Sequence, residues 1–139
     1  MVGLYRPPSF DCNRFYIELE NILATQTTRK RFLVGDFNIP INSTNNIVVL
    51  RYKSLLESYN CACSNTLATR PISKTILDHF VCSNDDLANI RNDTIYTDPI
   101  LSDHLLIVSS LKVSDPKERT VLSRKIVDKT KLHHLFSNF

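Results

Sequence analysis

The chain has 139 residues, 42% of them apolar and 22% charged, which leaves room for one ordinary domain and excludes a disordered or low-complexity polypeptide. No run approaches the ~20 apolar residues of a membrane span, and the opening MVGLYRPPSF has neither the basic nor the apolar region of a signal peptide, so a soluble intracellular chain with no membrane partner is expected. The net charge of +3 is uneven: residues 1–111 carry 10 Lys and Arg against 11 Asp and Glu, and residues 112–139 carry 7 against 3. A composition boundary therefore falls near Lys112, and the basic tail beyond it suits either a nucleic-acid contact or a solvated linker.

Taken in chain order, VGLYRPP is extended, because its two prolines forbid a helix. SFDCNRFYIELENILA then sets Phe15, Leu19, Ile22 and Leu23 at helical spacing, with Ser9 or Asp11 as the N-cap. RFLVGDFNIP predicts a short buried strand stopping at Gly35. NNIVVLRYKSLLESYN returns to a helical period through Leu50, Leu55 and Leu56. KTILDHFVC and HLLIVSSLKV are rich in β-branched and aromatic residues and predict strands; SNDDLANIRND between them is rich in turn residues, with room for one short helix. The order β-α-β-α-β-loop-β predicts an α/β fold in which helices cover sheets. After SDPKERT, a linker composition, DKTKLHHLFSNF places Leu132, Leu135, Phe136 and Phe139 on one face of a predicted helix capped by Asp128, with His133 and His134 toward solvent. Cys12, Cys61, Cys63 and Cys82 contain a C-x-C but no C-x-x-C, and read as free, partly buried thiols.

Three polar clusters sit at predicted strand ends: Asp36 with Asn38, Asp78 with His79, and Asp103 with His104. Singly, an Asp-x-Asn is most often a turn and an Asp-His pair a cap; carboxylates converging at strand ends are where loops shape a site. Hard divalent cations such as Mg²⁺ take oxygen ligands and share a substrate phosphate, which suits Asp36, Asp103 and the Asn38 amide. A buried Asp78 would hold the His104 ring in one tautomer, and Asp36 would take the proton from an attacking water. His79 is expected to be structural, facing the opposite side of its strand from Asp78.

YRPP at 5–8, GDFN at 35–38, ILDHF at 76–80 and SDH at 102–104 resemble, in order, the later motifs of the endonuclease/exonuclease/phosphatase superfamily. The closer likeness is to the apurinic/apyrimidinic-like endonuclease of non-LTR (LINE-type) retrotransposons, and it covers residues 2–113. It implies the second half of a four-layered α/β sandwich, DNase I-like and truncated at its N-terminus, with residues 1–113 as that half. Residues 114–139 would be a basic linker and short helix leading toward a reverse transcriptase. Site roles follow from the same resemblance: Asp36 for water activation, Asn38 for orienting water and phosphate, Asp103 as metal ligand, His104 with Asp78 for stabilising the pentacovalent phosphate, and Tyr5 near the leaving oxygen. Thr69 and Arg70 would lie in a loop that touches DNA. The implied cofactor is Mg²⁺ or Mn²⁺, and the implied partners are DNA, the N-terminal half of the domain and a downstream reverse transcriptase, acting in the nucleus.

The motifs carrying the Asn and the metal-binding Glu of the family's first half have no counterpart here, and Glu18 and Glu20 fall on a predicted helix. Half a sandwich would leave one sheet face and a strand edge uncovered. Three readings therefore stand: part of a Mg²⁺-dependent endonuclease that nicks DNA for target-primed reverse transcription, a catalytically dead remnant of the same fold, or a phosphoesterase for small phosphate esters.

Overall fold

In the computed structural model, which describes residues 1–25, 30–95 and 102–112, the chain opens with β1 (Val2–Gly3), running parallel to β2 (Phe32–Asp36). Helix α1 (Cys12–Thr25) joins them, its first turn capped where the Arg14 N–H donates to Asp11 Oδ1 at 2.8 Å. Helix α2 (Ile47–Ser58) follows β2, with Asn46 as its N-cap accepting from the Val48 N–H. β3 (Cys61–Cys63) then pairs antiparallel with β4 (Asp78–Ser83), and β4 pairs antiparallel with β2, giving one sheet in the order β1-β2-β4-β3. A short 3₁₀ helix (Asn84–Asn89) leads into β5 (Ile90–Ile95), which forms a separate antiparallel hairpin with β6 (Leu106–Leu111).

Strand alternation divides the four-stranded sheet into two faces. Leu33, opposite Val81, and His79, opposite Gly35, look toward the helices, where Phe15, Leu19, Leu23, Phe37, Tyr52 and Leu56 complete the core. Full burial of a side chain such as Leu19, Leu23 or Leu33 contributes on the order of 2 kcal/mol. The other face carries Val34, opposite Phe80, and the β6 residues Leu106, Ile107 and Ser109 lie across it around a cleft of about 410 Å³. Val34 and Phe80 on this face stay only half-buried, with β6 bordering the cleft.

Gly35 is required where it stands. Its φ of +147° and the Leu4 carbonyl oxygen, 1.7 Å from any Cβ placed there, exclude every side chain unless β1 moves. The strand continues one residue past this glycine, to Asp36, because Arg6 N–H donates to the Asp36 carbonyl at 2.9 Å and keeps the ladder going.

Other expectations shift for physical reasons. α2 buries Val49, Tyr52 and Leu56 and leaves Leu50 exposed, so the buried stripe is rotated from the Leu50–Leu55–Leu56 face. The strand expected from Lys74 begins only at Asp78: Lys74 has φ +54°, and the N–H groups of Leu77 and Asp78 go to a side chain, Thr69 Oγ1, instead of to a ladder. Neither β3 nor β5 is expected from local sequence. β5 reads IRNDTI, a polar run held as a strand by pairing along its whole length with β6. The tail helix and the 114–139 connector lie outside the described residues. No helix among the described residues is long and apolar enough to cross a membrane.

Candidate active site

The register between β2 and β4 sets Asp36 directly opposite Asp78, on the hairpin side of the sheet. Directly opposed side chains on adjacent strands stand about 5 Å apart, and like charges there are destabilising unless something positive lies between them. His104, just ahead of β6, supplies an imidazole: its Nδ1 is 2.7 Å from Asp78 Oδ2. One donor atom from each of Asp36, Asp78 and His104 lies within 4.8 Å of the other two. All three side chains are partly buried, which suits a site open to a ligand at one side only.

The Asp36 environment is asymmetric. Burial raises its carboxyl above the ordinary range, the N–H of Asn38 works against that, and the charge of Asp78 adds to the rise while His104 opposes it. Asn38 N–H donates to Asp36 Oδ1 at 2.9 Å, closing a turn in which Asn38 takes φ +49°, a conformation Asn tolerates better than most residues. The Asn38 side-chain amide donates to the Arg6 carbonyl at 2.8 Å.

Tyr5 is 67% exposed and sits between two residues bonded to β2 backbone, Leu4 to Val34 and Arg6 to Asp36, so it stands at the same sheet end as the carboxylates. Asp103 does not join the cluster. The Arg70 guanidinium holds it, with Nε and one terminal nitrogen each 2.6 Å from Asp103 Oδ2, and that hydrogen bond keeps its carboxyl below the usual range. Arg70 is itself a surface residue. Its neighbour Thr69 is not: it is fully buried, and its hydroxyl oxygen accepts from Leu77 N–H at 2.9 Å and Asp78 N–H at 3.1 Å while its carbonyl accepts from Leu105 N–H at 2.7 Å. Thr69 ties the strand bearing Asp78 to the segment bearing His104.

His79, next to Asp78, points the opposite way. Its Nε2 faces the carbonyls of Ile39 and Ile76 at 3.0 and 3.2 Å, so that nitrogen carries the hydrogen, and Nδ1 meets the Tyr52 hydroxyl at 3.0 Å. Burial pushes its pKa down to about 4, keeping the ring neutral.

Sequence reasoning missed Arg6, whose side chain touches the Asp36–Asn38 turn from behind. The only signal for it is the position between Tyr5 and two prolines, which marks a constrained backbone without saying where a guanidinium would go. All four cysteines are free thiols; burial pushes Cys63 and Cys82 up to about 11 and about 12 and keeps them protonated, unsuited to metal ligation.

Two carboxylates and an imidazole at this spacing form a donor set for one divalent cation. Carboxylate oxygens suit Mg²⁺ or Mn²⁺, and they would hold such an ion through Asp36 and Asp78, with His104 at the rim.

No family model and no curated protein matches the sequence. Among solved structures, the endonuclease domain of TRAS1, a telomere-specific non-LTR retrotransposon, is similar to this chain, with a TM-score of 0.60 and 17% sequence identity over 78% of this chain and 53% of that one. The chain thus spans about half the length of that structure. At this identity the likeness establishes the fold: the described residues have the mixed α/β architecture found in a retrotransposon endonuclease domain.

Proposed function

We propose that this chain carries part of the catalytic site of a divalent-metal-dependent DNA endonuclease that hydrolyses a phosphodiester. The observation behind this is the convergence of Asp36, Asp78 and His104 at one sheet end, with the Asp78–His104 contact at 2.7 Å. A bound Mg²⁺ or Mn²⁺ would supply positive charge to the phosphate oxygens. This chain's residues supply the groups around the reacting phosphate. Asp36, with a carboxyl raised by burial, accepts a proton from water as the water oxygen bonds to phosphorus. The bond from phosphorus to the sugar 3′ oxygen breaks, and that oxygen leaves with the electron pair near the exposed Tyr5 hydroxyl, taking a proton from solvent. Asn38 fixes the Asp36 carboxylate through its N–H. His104, its Nδ1–H held by Asp78, presents its other ring edge to a phosphoryl oxygen as charge builds there.

Residues 1–113 would correspond to the second half of a four-layered sandwich: the 53% coverage of the TRAS1 domain fits about half a domain, and the order of the YRPP, GDFN, ILDHF and SDH motifs is what assigns the half. The first half would then bring the metal-binding Glu, residues 114–139 would lead toward a reverse transcriptase, and the nick would prime DNA synthesis. Asp103 would turn to the metal, and Arg70 to a DNA phosphate, once the two separate.

A second reading keeps DNA binding without turnover, and the capture of Asp103 by Arg70 favours it. Supercoiled-plasmid nicking with Mg²⁺ separates the two, using this chain alone and joined to a first half, beside a panel of soluble phosphoesters. Nicking that disappears on chelation is expected from the endonuclease. DNA retention without nicking in either form would establish the second reading, and hydrolysis of the small esters alone would replace both.

A further inference from the structure

Arg6 is a charged residue only 5% exposed, and none of the ion pairs among the described residues involves it. A buried cation is costly unless its donors are satisfied, and here backbone carbonyls do that work. Nε donates to the Phe37 carbonyl at 2.7 Å, one terminal nitrogen to the Asn38 carbonyl at 2.8 Å, and the other to the Phe10 carbonyl at 2.6 Å. Its backbone joins the same turn twice, its N–H donating to the Asp36 carbonyl at 2.9 Å and its carbonyl accepting from the Asn38 side-chain amide at 2.8 Å. The Phe15 ring backs the guanidinium, 5.9 Å from its central carbon.

Every carbonyl of the Asp36–Phe37–Asn38 turn is therefore held by Arg6, and the turn contains the positive-φ Asn38 whose N–H aims the Asp36 carboxylate. A left-handed residue outside glycine persists only where its surroundings over-determine it. We propose that Arg6 is a positioning residue for the candidate site: its planar fork fixes the Asp36–Asn38 turn, and with it the carboxylate that activates water. Lysine cannot replace it, because a single ammonium is a point donor and does not reproduce the three separate bonds that Nε and the two terminal nitrogens make to the Phe37, Phe10 and Asn38 carbonyls. The kinetic half of this inference rests on the endonuclease reading; the structural half does not.

The test compares the full chain with Arg6→Lys and Arg6→Gln by amide hydrogen exchange and by plasmid nicking with Mg²⁺. Both variants are expected to lose protection of the Asn38 N–H by about 10-fold or more, with Phe80 and Val81 in β4 unchanged. Arg6→Lys is expected to lower kcat by about 10-fold or more at unchanged KM, since a displaced base costs turnover and not DNA affinity. Wild-type protection at Asn38 in Arg6→Lys would overturn the proposal. Loss of protection throughout the sheet in both variants would overturn it too, by making Arg6 a general fold residue. If the wild-type chain nicks DNA neither alone nor joined to a first half, the endonuclease reading fails while the exchange result still decides the role of Arg6.

Discussion

Asp78 and His79 are neighbours in one strand and share almost nothing else. Asp78 faces the hairpin side, half-buried beside Asp36 and His104; His79 faces the helices, 1% exposed, both ring nitrogens committed to Tyr52, Ile39 and Ile76. The two histidines differ in the same way. His104 meets the Asp78 carboxylate at 2.7 Å, and His79 meets carbonyls and a hydroxyl in an apolar surround that keeps it neutral. Strand alternation alone separates a chemical face from a structural one, and the back face holds the front in place: the Ile39 carbonyl bonded by His79 belongs to the loop that follows Asn38.

The largest expected effect breaks the back face. Tyr52→Ala removes a fully buried ring packed on Phe37 and strands the His79 Nδ1, so denaturant unfolding should report a loss of about 3–5 kcal/mol. Next comes pH. The folded pKa of His79 is about 4 against about 6.5 in the unfolded chain, so its contribution is complete above pH 6.5 and is lost as pH falls from there to about 4, where the unfolded state binds a proton the folded state refuses. The loss should approach about 3 kcal/mol and be absent from His79→Gln, measured as the difference between the two stability–pH curves. On the front face, His104→Ala should lower nicking by at least ~10²-fold, about 2.7 kcal/mol of transition-state stabilisation, while leaving unfolding within about 1 kcal/mol of wild type. Unchanged nicking would remove His104 from the chemistry.

Smaller effects sharpen the boundary between the faces. Thr69→Val leaves the N–H groups of Leu77 and Asp78 without an acceptor and should cost about 1–3 kcal/mol in unfolding, although Thr69 touches no predicted ligand. Arg70→Ala frees Asp103 and should change stability by less than about 1 kcal/mol, because the pair is exposed on both sides; a larger loss would make the pair structural.

Residue order made part of this legible. Helix α1 with Asp11 as one of two candidate caps, the strand up to Gly35 and the outward-inward split of Asp78 and His79 all follow from local rules of spacing, capping and alternation. β5 did not, because an Arg-Asn-Asp run has the composition of a turn and becomes a strand only when β6 lies beside it. Arg6 and Thr69 escaped for a related reason. Their roles depend on which backbone groups the fold brings within reach, Phe37 and Asn38 from 31 and 32 residues away for Arg6, and local sequence carries no trace of such contacts.

The most direct measurement of the site is paramagnetic broadening by Mn²⁺ in the NMR spectrum of this chain. The account predicts selective loss of the His104 imidazole signals and of the Asp36 and Asp78 amides at low Mn²⁺, with His79 ring signals weakened less and the whole effect abolished in Asp36→Asn. Broadening that survives Asp36→Asn unchanged, or that spares His104, would contradict it.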